Sequence, residues 1–275
     1  VLARSEQHYG PAHPAVARAL HNLGNAHTAA ADNARAEQEE RRALAIRESA
    51  LGPVHPDIAA NLADLARTIR RQGRFAEALV LDRRSVAMGA QVFGAEHPAY
   101  AQQLLGLGIT LLRTRQFAEA DATMRRAEAI FTKLHGSEHA DVMGVLAARA
   151  DLAIAEHRWT DAIALSEHVI AVLGKAEAQG DVLPTALLDI AEANLQLGQP
   201  RRALPPLEQL ARQLDQLPAD QRIAVELTLA RALWDSHGDR ARARALAHEA
   251  RDLARGHADT PAATTLEIDR WLAGH

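Results

Sequence analysis

The sequence has no cysteine among its 275 residues. Disulfides, thiolate zinc sites and cysteine nucleophiles are therefore excluded, and the composition suits a reducing compartment. Aromatic residues make up only 3% of the chain while hydrophobic residues make up 48%. Its core must then be built mainly from Ala and Leu, which are typical of closely packed helices rather than of sheets. We therefore expect an all-α protein.

Lysine and long apolar runs are also scarce. Lys133 and Lys175 are the only lysines, so nearly all basic residues are arginines, which indicates the codon usage of a GC-rich genome. The net charge of −4 at pH 7 argues against nucleic acid as a general partner. No stretch is long and apolar enough to cross a membrane, and no targeting segment is visible. We expect a cytoplasmic protein.

The sequence contains an internal repeat. His-Pro occurs at 13–14, 55–56 and 97–98, and His-Ala occurs at 139–140, so these dipeptides are evenly spaced along the chain. Other columns with the same spacing are Gly10, Gly52, Gly94 and Gly136; Phe75, Phe117 and Trp159; and Ala36, Ala78, Ala120 and Ala162. Self-similarity at such a period is the signature of a repeat architecture.

Each period contains two helical patterns. The period equals six heptads and would also fit a coiled coil, but the Gly and Pro in nearly every copy would break one continuous helix. In the second copy, HPDIAANLADLARTIRRQG places Ile58, Leu62, Leu65 and Ile69 on one stripe and stops at Gly73, which predicts a first helix. RFAEALVLDRRSVAMGAQVFG predicts a second helix that closes before the next His-Pro. The periodic histidines therefore indicate loops and helix starts.

These columns resemble the tetratricopeptide repeat, in the 42-residue form found in kinesin light chains and many bacterial proteins. The family pattern of large, Leu-Gly, aromatic and Ala residues is matched first by Leu20, Leu23, Gly24, His27 and Ala36. The next two copies carry Leu62, Leu65, Ala66, Ile69 and Ala78, then Leu104, Leu107, Gly108, Leu111 and Ala120. The resemblance implies a right-handed superhelical solenoid of antiparallel helix pairs.

We expect one solenoid over residues 1–275. Residues 1–9 align with the end of a preceding repeat, and because the chain starts with Val it is expected to be a piece of a longer protein. Residues 13–175 hold four regular repeats, 182–256 hold two degenerate ones, and 260–273 form a C-terminal capping helix. Pro205 and Pro206 make the second helix of the fifth repeat harder to form, since proline is tolerated only in a first turn.

The resemblance also implies a binding groove, because the first helix of each repeat lines the concave side in this family. The residues that it assigns to the groove are Arg18, His21, Asn22, Asn25, Asp64, Arg67, Arg70, Arg71, Leu105, Ile109, Leu112, Arg113 and Asp151. Asn22 corresponds to an Asn that contacts peptide backbone in kinesin light chains. From the arginines beside the Leu105 stripe we expect a protein or peptide partner with an acidic residue or phosphate next to an apolar side chain.

The sequence gives little support for a catalytic or a metal-binding motif. HGSEH, residues 135–139, formally matches the H-x-x-E-H zinc pattern, but that pattern needs both His on one helix and Gly136 interrupts it. The periodic histidines would lie about 10 Å apart in successive repeats and could not share one ion. No P-loop, G-x-S-x-G or dinucleotide motif occurs. We expect no metal, no cofactor and no enzymatic activity in this chain.

Two biological settings fit the resemblance. The unit ALAIRESALGPVHPD is similar to those in the C-terminal repeat regions of bacterial serine/threonine protein kinases, notably in myxobacteria, where repeats would recruit substrates or partners. The alternative is the sensor array of a signalling NTPase, in which the solenoid would hold a switch closed until a ligand binds. In both settings this chain acts as a protein-binding scaffold.

Overall fold

A computed structural model describes residues 2–30, 32–174, 182–257, 260 and 262–275. These residues form fourteen α-helices, one short 3-10 helix and no β-strand, which confirms the all-α prediction. The helices are α1 (Leu2–Tyr9), α2 (Pro14–Ala29), α3 (Asn33–Leu51), α4 (Pro56–Arg71), α5 (Phe75–Val92), α6 (Pro98–Arg113), α7 (Phe117–His135), α8 (Ala140–Ala155), α9 (Trp159–Leu173), α10 (Val182–Gln196), α11 (Pro200–Ala211), α12 (Ala219–Asp235), α13 (Arg240–Gly256) and α14 (Ala262–Gly274), with the 3-10 helix at Leu214–Gln216. None of the helices in these ranges has the length and apolar character needed to cross a membrane.

The chain divides into two compact units, residues 1–145 and 146–275. In the first unit, α2 packs with α3, α4 with α5 and α6 with α7, and neighbouring first helices also touch. In the second unit, α10 packs with α9 and α11, and α12 packs with α13. These antiparallel pairs are the predicted two-helix repeats. The prediction of a single array over residues 1–275 stays a prediction.

The core of the first unit follows the predicted stripe. Ile58, Leu62, Leu65 and Ile69 are all buried, and they pack with Met88 of the following helix. A strongly one-sided helix such as α4 is stabilised mainly by burial of its apolar face against neighbours. The preceding helix α3 contributes to the same cluster, so this core is shared with the preceding repeat.

The predicted capping helix closes the core of the second unit. Ile268 on α14 is fully buried against Ile223 and Leu227 of α12 and Ala250 of α13. In a repeat array the apolar face of each helix pair must be covered by a neighbouring element, and α14 provides this cover for α12 and α13.

Helix α11 begins with a proline and contains two further prolines in its interior. The helix spans Pro200–Ala211, only 12 residues, and includes Pro205 and Pro206. The expectation that these prolines are tolerated only in the first turn is therefore wrong, since they lie in the second turn. The helix continues past both prolines but, at 12 residues, is shorter than the other second helices α3, α5, α7, α9 and α13.

The periodic histidines cap the first helices. The ring Nδ1 of His13, His55 and His97 accepts a hydrogen bond from the backbone N–H two residues later, each at 3.1 Å. His139 does the same at 3.2 Å. In front of each stands a glycine at φ between 83° and 88°, as at Gly52, a backbone conformation that side chains disfavour. The interpretation of these histidines as helix starts is confirmed.

Replacing one of these caps should have a small effect. We expect His55→Ala to lower the free energy of unfolding by about 1 kcal/mol or less, the usual cost of losing an N-cap acceptor. Urea unfolding followed by circular dichroism measures this. A loss above about 2 kcal/mol, the upper end of the cost of losing a cap, would mean that His55 does more than cap α4.

Candidate functional site

The first helices of the first unit carry most of the residues assigned to a binding face. Arg18 and Asn22 are exposed on α2, and Arg113 is exposed at the last residue of α6. These three side chains make no hydrogen bond or ion pair within the described ranges. They are accessible to a partner.

Four further residues form one polar cluster, defined here as His21, Asn25, Asp64 and Arg67. The Arg67 guanidinium donates to Asp64 Oδ1 at 2.7 Å and to Asn25 Oδ1 at 3.0 Å. His21 Nε2 lies 3.6 Å from Asp64 Oδ2. The cluster joins α2 to α4 and leaves its members half-buried, so two neighbouring first helices present a continuous polar surface.

Burial sets the protonation of His21. It lowers the pKa of His21, while the Asp64 carboxylate raises it and the Arg47 and Arg67 guanidinium groups lower it. The imidazole is therefore neutral at pH 7, and the ring offers a neutral donor and acceptor rather than a charge. The net positive charge of the polar surface comes from arginine alone.

Arg70 does not belong to that surface. Its side chain is 13% exposed, and Nη1 donates to both oxygens of Asp82 at 2.8 and 3.1 Å and lies 3.2 Å from the Thr110 hydroxyl. It therefore ties α4 to α5 and α6 as a structural ion pair. Arg71 is exposed, but its Nη1 donates to the Thr28 carbonyl at 3.0 Å.

The predicted apolar stripe on α6 is mostly inside the protein. Leu105 and Leu112 are buried, with 8% and 7% of their surface exposed, and Ile109 is half-buried. Only Ile109 is therefore available to contact a partner. The stripe belongs largely to the packing between repeats.

Asp151 belongs to the second unit, where it lies beside a buried carboxyl. Burial first, and then the charges of Asp151 and Glu192, raise the pKa of Asp189 to about 9. Asp151 is hydrogen-bonded to Asp189, and the Ser166 hydroxyl is 3.5 Å from Asp189 Oδ2. At pH 7 the Asp189 carboxyl therefore carries its proton.

Sequence reasoning missed a column of buried side chains on the second helices. Repeat-equivalent positions carry Glu40, Asp82, Met124 and Ser166, and all four are buried. In the sequence, the apolar Met124 was the signal that this column of residues lies in the interior. The two acids in such a column indicate buried charges that need partners.

In the repeats where the residue of this column is long, it packs against a glycine of the first helix. A Cβ on Gly24 would lie 2.9 Å from Glu40 Cγ, and one on Gly108 would lie 2.7 Å from Met124 Cγ. Alanine replaces this glycine at Ala66 and Ala150, in the copies with the shorter Asp82 and Ser166. The Leu-Gly pattern of the repeats is thus explained by close helix packing.

The H-x-x-E-H segment does bring potential ligands together. His135, His139 and Asp141 place their ligand atoms within 4.8 Å of one another, and the two histidines are exposed. His135 Nδ1 lies 3.0 Å from Asp141 Oδ2, whereas His139 Nδ1 already accepts the backbone N–H of Asp141. Glu138 is not part of the group, so the zinc-protease arrangement is absent from this segment.

Comparisons with known families identify the repeats. Residues 57–133 match one family model described as a tetratricopeptide repeat, and residues 16–57 match another. Residues 16–133 are therefore similar to tetratricopeptide repeats. No curated protein sequence matches the chain significantly.

Solved structures extend this likeness beyond the matched tetratricopeptide repeats. A Podosopora anserina protein, described as a putative kinesin light chain with nearly identical TPR-like repeats, is 26% identical, with 74% of this chain and 99% of that chain covered and a TM-score of 0.57. BtubC (BKLC) from P. vanneervenii is 21% identical over 77% of this chain and 84% of its own, with a TM-score of 0.61. A Rap protein complexed with Competence and Sporulation Factor is 11% identical over 93% of this chain and 73% of its own, with a TM-score of 0.65. The last two likenesses concern the fold alone.

Proposed function

We propose that this chain is a protein-interaction scaffold that holds a segment of a partner protein on the first helices of its first unit. The observation that carries the proposal is the polar surface formed by Arg18, Asn22 and the polar cluster on neighbouring helices α2 and α4. An exposed amide and an exposed guanidinium beside a half-buried polar cluster suit an extended peptide, whose backbone needs donors and acceptors along its length.

The fold supports the same proposal. Tetratricopeptide repeats are typically non-catalytic and serve protein binding. The Rap protein of similar fold is complexed with Competence and Sporulation Factor, so an array of this kind can hold a ligand. Among the residues on the polar surface, none is arranged as a nucleophile with its base.

The partner segment is proposed to carry an acidic residue or phosphate next to an apolar side chain. Arg18 and Arg67 are the cations that such a group would reach, and Ile109 is the apolar side chain on the same set of helices. Arg70, Leu105 and Leu112 take no part in the proposed contact, since they are occupied in the interior of the protein.

We further propose that the chain is the partner-recruiting region of a bacterial signalling kinase in the cytoplasm. Repeat units such as ALAIRESALGPVHPD, which resemble those of such kinases, support this proposal. Sequencing the gene upstream of Val1 tests this. H-R-D and D-F-G motifs there would support the kinase, whereas a G-x-x-x-x-G-K-[ST] loop would replace it with the sensor array of a signalling NTPase.

The binding surface is tested with matched charge variants. A partner captured from an extract of the source organism on the immobilised chain is purified and titrated against Arg18→Glu/Arg67→Gln. The control is Arg83→Glu/Arg84→Gln on α5, where both arginines are exposed. We expect the first variant to bind about a hundredfold more weakly, because two charge-assisted contacts are lost. Equal losses, or a loss in the control alone, would show that the first-helix face is not the recognition surface.

A further inference from the structure

A groove runs between α10, α12 and α14 of the second unit. Its volume is about 590 Å³, and its apolar side chains include Leu195, Ile223 and Leu227. Ile223 and Leu227 are almost fully buried, so they form a firm floor rather than a loose surface. A groove of this size accommodates several side chains of a bound segment.

One wall of the groove is a fixed aromatic ring. Trp271 on α14 lines the groove. Its ring packs edge-on against Trp234 with centroids 5.9 Å apart and stacks on His275 at 4.6 Å. A Trp held on two sides offers a large apolar and cation-attracting face at little cost in side-chain entropy.

The charges around the groove are mostly negative. Four carboxylates line it, from Glu192, Asp220, Asp235 and Glu267, together with the single arginine Arg231. Arg231 is already paired with Glu267, Nη2 to Oε1 at 2.6 Å. Within the ranges that the structure describes, the side chains of Glu192, Asp220 and Asp235 form no ion pair or hydrogen bond. These three carboxylates therefore line the groove without an ion-pair partner among the described residues.

Glu192 lies among charges of both signs. Burial raises the pKa of Glu192, although the residue as a whole is exposed. Among the neighbouring charges the Arg231 guanidinium has the largest effect and lowers this pKa, while the Asp151 and Glu267 carboxylates repel Glu192 and raise it. A cation placed in the groove would relieve this repulsion. An anion would increase it.

We propose that this groove binds a cationic segment of a partner protein, with an Arg or Lys beside an aliphatic or aromatic side chain. The cation would pair with Glu192 and Asp235 along the two helices, in the bidentate geometry that favours Arg. The apolar neighbour would lie on Ile223 and Leu227 against Trp271. This inference goes beyond the proposed function, because it concerns the second unit and a segment of opposite charge.

The test uses the whole chain and short fluorescein-labelled peptides. The cationic probe is GRLRSLRG, with GELESLEG as its charge-reversed counterpart and GALASLAG as its neutral one. Fluorescence anisotropy reports binding, and a change in Trp emission that is lost in Trp271→Phe reports its place. We expect only the cationic probe to bind, and we expect its affinity to fall as salt rises from about 50 to about 300 mM, as for partly exposed charge pairs.

Matched variants locate the site. Glu192→Gln/Asp235→Asn is expected to weaken binding of the cationic probe at least tenfold, about 1.4 kcal/mol. Neither change should unfold the protein, since Asp235 ends α12, where a negative charge is unfavourable. The control is Glu167→Gln/Glu249→Gln, two exposed carboxylates on the second helices α9 and α13, and it should change affinity less than twofold.

Several outcomes would overturn the inference. They are no binding of the cationic probe, equal binding of GELESLEG, or equal losses in the groove variant and the control. The variant Arg18→Glu/Arg67→Gln separates the two proposals, because it should leave this probe bound while it weakens the partner of the first unit. If it alone releases the probe, the groove of the second unit is not the cation site, and the scaffold proposal still stands.

Discussion

Replacing Arg70 with leucine should lower the free energy of unfolding by about 3–5 kcal/mol, because it removes one partner of a buried ion pair. Asp82, the other partner, is 2% exposed and receives two contacts from Arg70. The Thr110 hydroxyl also donates to Asp82 Oδ2 at 2.5 Å, but it cannot balance a charge. Burial already raises the pKa of Asp82 against the effect of Arg70. Without the guanidinium, the carboxylate would be left charged and buried or would have to bind a proton.

Two companion variants separate the ion pair from general packing. Arg71→Leu should cost no more than about 1.5 kcal/mol, since an exposed side chain loses one hydrogen bond to the Thr28 carbonyl. Arg70→Leu/Asp82→Leu should recover most of the stability, because apolar side chains of similar shape can replace a buried pair. The third repeat already has Leu112 and Met124 at these positions. Urea unfolding measures all three. A double variant as unstable as Arg70→Leu would contradict the explanation.

The structural role of Arg70 could not be predicted from the sequence. Spacing and stripes predicted the helices, because Gly, Pro and apolar periodicity are local signals. The same pattern placed Arg67, Arg70 and Arg71 together on one helix face. Since an α-helix has 3.6 residues per turn, Arg70 lies about 60° from Arg67 on the helix circumference, and a rotation of that size separates the open surface from the contact with the next repeat. Only the packing of α4 against α5 and α6 determines which arginines face the open surface and which one contacts the next repeat.

Buried acids escape prediction for a related reason. Charged side chains are almost never fully buried unless paired, so Glu40 and Asp82 read as solvated positions on amphipathic second helices. Their burial follows from the approach of neighbouring helices, which Gly24 allows at Glu40. The groove of the second unit was likewise hidden, because Glu192, Asp235 and Glu267 come from three helices far apart in sequence.

Replacing Glu40 with glutamine should stabilise the protein at alkaline pH and have little such benefit at acid pH. Glu40 is fully buried, and within the described residues neither carboxylate oxygen accepts a hydrogen bond of good geometry. Burial and the Asp64 carboxylate raise the pKa of Glu40 to about 7, and the Thr68 hydroxyl and Arg67 only partly oppose them. The folded protein therefore binds more protons at Glu40 than the unfolded chain does between about pH 4.5 and 7. Stability must fall as pH rises through this window.

The size of this effect follows from the change in pKa. From the ordinary value of 4.5 to about 7, at about 1.4 kcal/mol for each pH unit, the loss from pH 4.5 to pH 8 is about 3 kcal/mol. Because glutamine does not titrate, the difference in free energy of unfolding between Glu40→Gln and the parent should rise by that amount over the same range. Taking the difference cancels other groups, including Asp189. A difference that stays constant with pH would show that Glu40 does not titrate in this window.

The second repeat suggests how to remove the pH dependence without touching the carboxyl. Thr28 stands at the position of Arg70, and Thr68 stands at the position of Thr110, so Glu40 has the surroundings of Asp82 except for the cation. Thr28 Oγ1 lies 3.3 Å from Thr68 Oγ1, which places residue 28 at the same corner of the buried column. Thr28→Arg should therefore pair with Glu40, lower its pKa and flatten the loss of stability between pH 4.5 and 8. Thr28→Met, with a long uncharged side chain, should leave the pH dependence in place. If both variants flatten it, the cause is the added bulk and not the missing guanidinium.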